Sequence, residues 1–308
     1  MGYQSADVAV VGSVNVDLVA RVHRLPAPGE TVSALAFDEF PGGKGSNQAV
    51  AASRLGRRVV FIGLTGTDQE ARMVRSALEA EGVDVTALGE DSTAPTGRAV
   101  VLVDSGAENC IVVIPGANAR VGPAHIESVS AVLASARVVV TQLEIPLETV
   151  LAAARSTVGT FVLNAAPARA LPRELLDLVD VLVVNEVEYE AVAGRALSTD
   201  LARLADELAV GSLPRSLVIT LGARGAIVAD GPSISAIPAP AVDVVDTTGA
   251  GDTFIGALAD ALSRGEPLHA AAQWAVYAAS TATGALGATT GMPRADEVLA
   301  AIRRCGEV

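Results

Sequence analysis

The sequence DTTGAGDTF, residues 246–254, decides the fold, because it places a glycine-rich turn between two different periodic patterns. Before it, AIPAPAVDVV (residues 236–245) is mostly apolar and is interpreted as a strand, and after it IGALADALSRG has apolar residues at helical spacing. A strand, a glycine turn and a helix in this order predict an α/β unit with an anion site at the turn. An aspartate, Asp252, lies where the predicted helix begins.

Short apolar runs alternate with longer amphipathic segments along the chain, and this alternation predicts the rest of the fold. Six strands are predicted at ADVAVVGSV, RRVVFIGL, ARVVVTQLE, TFVLNAA, VDVLVVNE and RSLVITLG. The helix-like segments between them predict an α/β protein whose mostly parallel sheet is covered on both faces. Ligands of such sheets bind beyond the carboxyl ends of the strands, where polar residues cluster in this chain.

Two segments, about residues 17–40 and 98–114, lack a helical pattern and interrupt the alternation. The second contains DSGAEN, which has the turn chemistry of a β-hairpin. We interpret both segments as a small β-sheet outside the main sheet. Beside a glycine-rich loop such a sheet can act as a lid that excludes water, or it can form a dimer contact, and the two roles are compatible.

The composition limits the classes of partner. The chain has 308 residues, half of them hydrophobic, which suits a large α/β domain, and its formal net charge of -13 argues against nucleic acid or an anionic membrane as partner. Cys110 and Cys305 form no disulfide framework, and no secretory signal pattern is present, so a cytoplasmic setting is expected. The apolar runs are far shorter than the ~20 residues that span a bilayer.

The GAGD segment has the chemistry of an anion hole with a base beside it. Gly249 and Gly251 leave backbone N–H groups open to a ligand, and the following helix adds its positive end. Asp252 could there accept the proton of an alcohol that attacks phosphorus. For an isolated motif of this kind, a turn followed by a helix N-cap would be the better interpretation, because Asp caps are common.

A second glycine-rich loop supports the prediction of a phosphate-binding site. In FPGGKGSNQAVAASRLG, residues 40–56, glycines surround Lys44, and Asn47 and Gln48 open an alanine-rich helix. No Ser or Thr follows the lysine directly, so the loop is not a P-loop, and no G-x-G-x-x-G dinucleotide fingerprint occurs in the chain.

Both loops together resemble the signature regions of the carbohydrate kinases related to ribokinase, the PfkB family. The resemblance extends over nearly the whole chain and includes VVGSVNVDLV, PAPGETV, PGGKGSNQAVAASRLG, VIPGANA, QLEIPLETV, VVNEVEYE, ITLGARGA and VDTTGAGDTFIGALADAL. It implies a ribokinase-like three-layer α/β sandwich with a β-sheet lid, built as one domain over residues 1–308. The implied reaction is the ATP-dependent phosphorylation of the 5-hydroxyl of D-ribose by a homodimer that associates through the lid.

The resemblance also implies a role for each matching residue. Asp252 corresponds to the catalytic base, and Gly249, Ala250 and Gly251 correspond to the anion hole. The implied sugar ligands are Asn15, Asp17, Gly42, Gly43, Lys44, Asn47 and Glu144, together with Asp252. The implied ATP contacts are Asn185, Thr220, Gly222, Gly251, Val276 and Ala279, with Ser280 beside the adenine.

Two metal ions follow from the same resemblance. Glu188 is implied to bind Mg²⁺, through water because Mg²⁺ keeps much of its hydration shell. A monovalent cation, K⁺, is implied beside the anion hole at Asp246, Thr248, Ala282, Ala285, Gly287 and Gly291. Family members often have a hydroxyl residue at the position of Gly291, so this chain departs from the pattern there.

Two alternatives to a ribose kinase are kept. The first is a related kinase that acts on deoxyribose, another sugar or a nucleoside, although aromatic residues make up only 3% of the chain and a second base would need an aromatic slot. The second is a non-catalytic sugar or nucleotide sensor on the same fold, which the intact GAGD segment with Asp252 disfavours.

Overall fold

The computed structural model describes residues 6–106, 108–209, 211 and 213–306. Over these residues the strands, in chain order, are β1 (Val8–Val11), β2 (Asn15–Arg21), β3 (Ala36–Gly42), β4 (Val59–Thr65), β5 (Leu88–Glu90), β6 (Gly97–Val103), β7 (Asn109–Ile114), β8 (Val138–Thr141), β9 (Thr160–Asn164), β10 (Val181–Asn185), β11 (Ser216–Thr220), β12 (Ala226–Asp230) and β13 (Ser233–Ile237).

The helices of the same ranges are α1 (Lys44–Arg54), α2 (Gln69–Ala80), α3 (Pro123–Ser128), α4 (Ser130–Ser135), α5 (Leu147–Ser156), α6 (Arg173–Leu176), α7 (Glu186–Ala193), α8 (Leu201–Ala209), α9 (Ala250–Ser263), α10 (Leu268–Ala282) and α11 (Ala295–Gly306), with 3-10 helices at Gly116–Arg120 and Gly222–Arg224. No helix in these ranges has the length and apolar character of a bilayer-spanning segment. Residues 1–5, 107, 210, 212, 307 and 308, which belong to the predicted domain, lie outside the described residues.

The main sheet of the described residues has nine strands in the order β13-β12-β11-β10-β9-β8-β1-β4-β5. The pairs from β11 to β5 are parallel, and β12 and β13 are added antiparallel at one edge. The six predicted strands are β1, β4, β8, β9, β10 and β11, which form the contiguous parallel centre. The strands that the apolar pattern did not identify are the three at the edges.

Each central strand supplies side chains to two separate cores. In β1, Val8 and Val10 pack with α1, α2, α9, α10 and α11, whereas Ala9 and Val11 pack with the helices of the opposite face, α3 to α8. Successive side chains of a strand point to opposite faces, and both faces of a parallel sheet are buried, so these strands are continuously apolar. The predicted three-layer α/β architecture is therefore confirmed.

A separate sheet of four strands, in the order β3-β2-β6-β7, extends from the carboxyl end of β1. β2 pairs antiparallel with β3 and parallel with β6, and β6 pairs antiparallel with β7. This is the small sheet predicted from residues 17–40 and 98–114, and we call it the lid sheet. Every described residue of β7 is exposed, which leaves an apolar edge strand uncovered in the single chain.

One predicted strand is wrong in its extent. The apolar segment 236–245 was expected to be a strand up to the glycine turn, but β13 ends at Ile237 and the rest has no regular structure. Pro238 and Pro240 have no N–H groups to donate to a neighbouring strand, and Val242 and Val244 are exposed. The glycine turn is therefore reached by an irregular segment, not by a strand.

Candidate active site

Helix α9 begins at a glycine turn whose shape other residues could not adopt. Gly249, the N-cap, has a φ of 76°, and a Cβ atom there would lie 2.4 Å from the carbonyl oxygen of Ala288. The N–H of Ala250 donates to the carbonyl of Thr247 at 3.2 Å. Among the described residues the N–H groups of Gly251 and Asp252 have no such partner, and they are the donors that the turn offers to an anion.

The carboxylate of Asp252 is held by two amides from α1. Asn47 Nδ2 donates to Oδ2 of Asp252 at 3.0 Å, and Gln48 Nε2 donates to Oδ1 at 3.0 Å. Gln48 also donates to Oδ1 of Asn164 at 3.1 Å, and it accepts from Nε2 of Gln142 at 2.6 Å. Both carboxylate oxygens are therefore fixed by donors from the helix that packs against α9.

Four carboxylates and one ammonium group determine the electrostatics of the site. Burial raises the pKa of Asp252, although Lys44, Asn47 and Gln48 oppose this by favouring the ionised form. Burial lowers the pKa of Lys44, but the charges of Asp252, Glu144 and Glu188 outweigh burial and leave this pKa raised. Lys44 is therefore protonated at neutral pH.

Two further carboxyl groups at the site have raised pKa values. Burial, together with the charges of Glu144 and Asp252, raises the pKa of Asp17 to about 6. Burial also raises the pKa of Glu188, against the hydrogen bond from the backbone of Asn185 and the charge of Lys44. The site is thus short of positive charge before any ligand binds.

The PGGKG loop packs tightly against the start of the lid sheet. A Cβ atom on Gly42 would lie 2.3 Å from a carboxylate oxygen of Asp17, and one on Gly43, whose φ is 95°, would lie 2.9 Å from the backbone nitrogen of Asn15. Glu144 Oε2 accepts hydrogen bonds from the backbone N–H of Lys44 at 3.1 Å and from the Ser13 hydroxyl at 2.5 Å. These contacts bring six of the predicted sugar ligands together, namely Asn15, Asp17, Gly42, Gly43, Lys44 and Glu144.

A cavity of about 170 Å³ lies at the carboxyl ends of the central strands, and of the predicted sugar ligands only Lys44 and Asp252 line it. It is lined by Lys44, Asn164, Ala166, Val183, Val184, Asn185, Glu188, Thr220, Gly249, Gly251, Asp252 and Ile255. Asn185 and Glu188 form a capping box at the start of α7, in which each side chain accepts from the backbone N–H of the other at 2.8 Å. The lining unites the predicted base, the glycine turn and part of the predicted nucleotide site.

The residues predicted for a monovalent cation meet beside the glycine turn. Asp246 accepts from the Thr248 hydroxyl at 2.7 Å and from the Gly287 N–H at 2.8 Å. Burial raises the pKa of Asp246, but these donors outweigh burial and leave it lowered. A Cβ atom on Gly291 would lie 2.1 Å from the carbonyl oxygen of Ala282, so a hydroxyl residue does not fit there without a shift of the backbone.

Several residues predicted for the nucleotide and the cation lie away from the cavity lining. Gly222 is in a 3-10 helix with a φ of 57° and open space around it. Val276 is buried in the core at 3% exposure, and Ala279 and Ser280 are half-buried on the same helix, α10. Ala285, from the predicted cation set, is half-buried in the turn after α10. Within the described residues, no group of three or more His, Cys, Asp or Glu side chains could hold a metal by itself.

Sequence reasoning did not assign several residues that hold the site together. Ser13 binds Glu144, Asn118 Nδ2 donates to Oδ1 of Asn15 at 2.8 Å, and Gln142 donates to Gln48. Each of these side chains is buried. Gln142 directly follows β8, Ser13 lies two positions after β1, and Asn118 is in a 3-10 helix, but polar residues at such places are also common in ordinary turns.

Comparisons with known proteins show which family the chain resembles. Residues 5–295 match the family model described as pfkB family carbohydrate kinase. Ribokinase of Bacillus subtilis (strain 168) is 37% identical over 295 residues, which cover 95% of this chain and 98% of that protein. Deoxyribokinase of Salmonella typhi is 35% identical over 284 residues, which cover 90% of this chain and 93% of that protein.

The chain is also similar to a longer, bifunctional relative and to a solved ribokinase structure. The bifunctional ribokinase/ribose-5-phosphate isomerase A of Fructilactobacillus sanfranciscensis is 34% identical over 303 residues, 96% of this chain, and this chain spans 56% of its length. The structure of Arabidopsis thaliana ribokinase complexed with ribose and ATP matches with a TM-score of 0.90 at 30% identity, covering 97% of this chain and 99% of that one.

Proposed function

The chain belongs to the PfkB family of carbohydrate kinases and is a sugar kinase, and on this premise we propose that it transfers the γ-phosphoryl group of ATP to the 5-hydroxyl of D-ribose. The products are D-ribose 5-phosphate and ADP. The observation that carries the proposal is the position of Asp252, which lies at the start of α9 beside two free N–H groups and opposite Lys44.

Asp252 acts as the general base. Its carboxylate accepts the proton of the sugar hydroxyl while the hydroxyl oxygen forms a bond to the γ-phosphorus. The bond from the γ-phosphorus to the bridging oxygen breaks, and ADP leaves with the electron pair. Burial favours this role, because the raised pKa makes the Asp252 carboxylate a stronger base than an exposed one.

The sugar lies between the lid sheet and the PGGKG loop. Asn15 and Asp17 on β2, Lys44 and Asn47 on α1, and Glu144 offer both donors and acceptors to hydroxyl groups. The backbone of Gly42 and Gly43 comes close enough to be part of the same surface, because neither has a side chain in the way. This set suits a small polyhydroxy substrate.

The nucleotide occupies the other end of the cavity. Asn185 and Thr220 lie at the carboxyl ends of β10 and β11 and line the cavity, so they contact the phosphates. Gly251 adds its backbone N–H, and Gly222 adds open backbone nearby. The adenine lies against α10 beside Ala279 and Ser280, where small residues leave room, with Val276 as the apolar support beneath.

A divalent cation fits this site on charge. Lys44 carries the one ammonium group among the described residues, and it is faced by four carboxyl groups, those of Asp17, Glu144, Glu188 and Asp252. ATP would add further negative charge. Glu188 would hold Mg²⁺ through water, since its carboxylate already accepts from Asn185. Bound Mg²⁺ offsets the charge of the phosphate oxygens.

A monovalent cation, K⁺, fits the oxygen atoms beside the glycine turn. Asp246 supplies a carboxylate with a lowered pKa, and the Ala282 carbonyl faces the gap that Gly291 leaves. Thr248, Gly287 and Ala285 complete the loop around it. The role of these residues is to hold the segment that supports Gly249, because Ala288 of the same loop touches Gly249.

The lid sheet serves as the contact of a homodimer. Phe37, Ile111, Val112 and Val113 are each about half exposed, and β7 is an edge strand with free hydrogen-bonding groups. An uncovered apolar edge strand favours pairing with another chain. A second copy of this chain would cover both features.

Deoxyribose is the second candidate substrate. The deoxyribokinase of Salmonella typhi is nearly as similar to this chain as the ribokinase of Bacillus subtilis. The two sugars differ at the 2-hydroxyl, so the contacts from β2 and the PGGKG loop decide between them. The proposed base and anion hole are the same for both.

The test measures ATP consumption with Mg²⁺ and K⁺ for D-ribose, 2-deoxyribose, fructose and adenosine at equal concentrations. A preference for D-ribose is expected, with loss of roughly 100- to 10,000-fold of kcat in Asp252→Asn and little change in ribose binding by calorimetry. A clear preference for another sugar overturns the substrate. Substantial turnover by Asp252→Asn overturns the base, and no turnover with any sugar supports a sensor.

A further inference from the structure

A buried chain of side-chain amides leads from the main sheet to the carboxylate of Asp252. Gln142 follows strand β8, and its Nε2 donates to Oε1 of Gln48 at 2.6 Å. The Nε2 of Gln48 then donates to Oδ1 of Asp252 at 3.0 Å and to Oδ1 of Asn164 at 3.1 Å. Gln48 is 1% exposed and Gln142 is fully buried, so water does not replace these bonds.

In only one orientation of the Gln48 amide does its nitrogen face acceptors and its oxygen face a donor. If the Gln48 amide were reversed, its oxygen would face the oxygens of Asp252 and Asn164, and its nitrogen would face the nitrogen of Gln142. Both contacts would be repulsive at these distances, and buried polar groups without partners are costly. The Asp252 carboxylate, which only accepts, and the Nε2 donor of Gln142 therefore together fix the orientation of the Gln48 amide, while Oε1 of Gln142 has no partner among the described residues.

We propose that Gln48 is a positioning residue for Asp252 and that Gln142 acts one step behind it by orienting the Gln48 amide. The proposal rests on the role of Asp252 as base. With Gln48 on Oδ1 and Asn47 on Oδ2, the carboxylate cannot rotate, and its remaining lone pairs face the cavity. The two amides thereby determine the direction of proton acceptance, and together with Lys44 they favour the ionised form.

The charged and titratable groups around Asp252 come from four elements, and they set the background for a pH test. They are Lys44 at the start of α1, Asp17 on β2, Glu144 after β8 and Glu188 on α7. None of them changes when Gln48 or Gln142 is replaced by an apolar residue. Loss of an N–H donor to the carboxylate favours the protonated form of Asp252, so the acid limb of kcat must move to higher pH.

The experiment compares Gln48→Met, Gln142→Met and a matched control, Thr141→Val. Thr141 is buried next to Gln142, and its hydroxyl has no hydrogen-bond partner among the described residues, so the control removes a buried polar group outside the amide chain. For each variant, kcat and KM for D-ribose are measured from pH 5 to 9, and thermal unfolding is recorded.

For Gln48→Met we expect kcat to fall roughly 10- to 100-fold, with KM changed less than threefold and the acid limb about one pH unit higher. Gln142→Met, which does not touch Asp252, shifts the limb in the same direction by a smaller amount. Thr141→Val keeps the limb of the unmodified enzyme. If Gln48→Met does not fold, the shift in Gln142→Met decides the question.

An acid limb unchanged in both glutamine variants, with only a lower unfolding temperature, would mean that Gln48 and Gln142 merely pack α1 against the sheet. That result overturns the proposal while the inactivity of Asp252→Asn still supports the base. If Asp252→Asn is itself active, the proposed function fails first, and the two failures are thus distinguishable.

Discussion

Asn47 donates its side-chain amide to Oδ2 of Asp252 at 3.0 Å, although the two residues lie 205 positions apart in the chain. The bond connects the first turn of α1 to the first turn of α9. Both glycine-rich segments therefore meet at a single carboxylate, and the helices that follow them pack side by side.

The first prediction concerns this bond. Replacement Asn47→Ala removes a donor to a charged acceptor, and such bonds contribute about 1.5–3 kcal/mol, so kcat/KM for D-ribose should fall roughly 10- to 150-fold. Steady-state kinetics at pH 7.5 measure the loss, and Asn109→Ala, at an exposed asparagine in β7, serves as the control. A loss below threefold would mean that Gln48 alone holds Asp252.

The second prediction concerns the pKa of Asp17, about 6 in the folded protein against an ordinary value of 3.8. The folded protein binds more protons than the unfolded chain between these two values, so the free energy of unfolding falls as the pH rises through this window. Above it, ionised Asp17 destabilises the free protein by up to about 3 kcal/mol.

Replacement Asp17→Asn removes this ionisation. The variant should be more stable than the unmodified protein at pH 7.5 in urea unfolding, and the difference should vanish near pH 4. Its KM for D-ribose should rise, because an amide replaces an acceptor of sugar hydroxyls. An equal difference in stability at both pH values would contradict the assigned pKa.

The third prediction separates crowding from backbone strain at the PGGKG loop. Gly43 and Gly56 have nearly equal φ angles, 95° and 93°, but a Cβ atom meets backbone at 2.9 Å on Gly43 and nothing within 4 Å on Gly56. In both alanine variants, the positive φ angle imposes a backbone strain of about 1–3 kcal/mol. Gly43→Ala should lose about 1–3 kcal/mol more, with a higher KM for D-ribose. Equal losses in denaturant unfolding would refute the crowding.

The fourth prediction concerns the loop beside the glycine turn. Asp246→Asn replaces one carboxylate oxygen by an amide nitrogen, which cannot accept from Gly287 or Thr248. If K⁺ binds here as proposed, KCl should stimulate turnover of the unmodified protein but not of Asp246→Asn, while KM for D-ribose changes little. Choline chloride at equal ionic strength is the control. Unchanged stimulation by KCl would remove Asp246 from the cation site.

The elements that could be predicted from the sequence are those specified by local patterns. The central strands are continuously apolar. The glycines of both loops indicate places where the backbone comes close to another segment or to a ligand. The first three residues of edge strand β13 were missed because they are partly exposed and their pattern is mixed, whereas β12 was missed although four of its five residues are buried. The prediction of a strand over residues 238–245 was wrong because apolar residues there are exposed and do not belong to the sheet.

The amide chain could not be predicted because it depends on contacts between distant segments. Gln142 and Gln48 are 94 positions apart, and Gln48 and Asp252 are 204 positions apart. Each glutamine alone is indistinguishable from a solvated residue in a turn or helix. The site roles inferred from family resemblance, among them those of Val276, Gly222 and Ala285, remain predictions.

The lid strand β2 starts only four positions after β1 ends, and Asn15 and Asp17 are its first and third residues. The other residues proposed as sugar ligands, Lys44, Asn47 and Glu144, belong to the body of the protein. A sugar that bridges the two groups is therefore thermodynamically linked to the angle between lid and body. Any mutation or partner that holds the lid open must weaken sugar affinity by the same free energy by which the sugar favours closure.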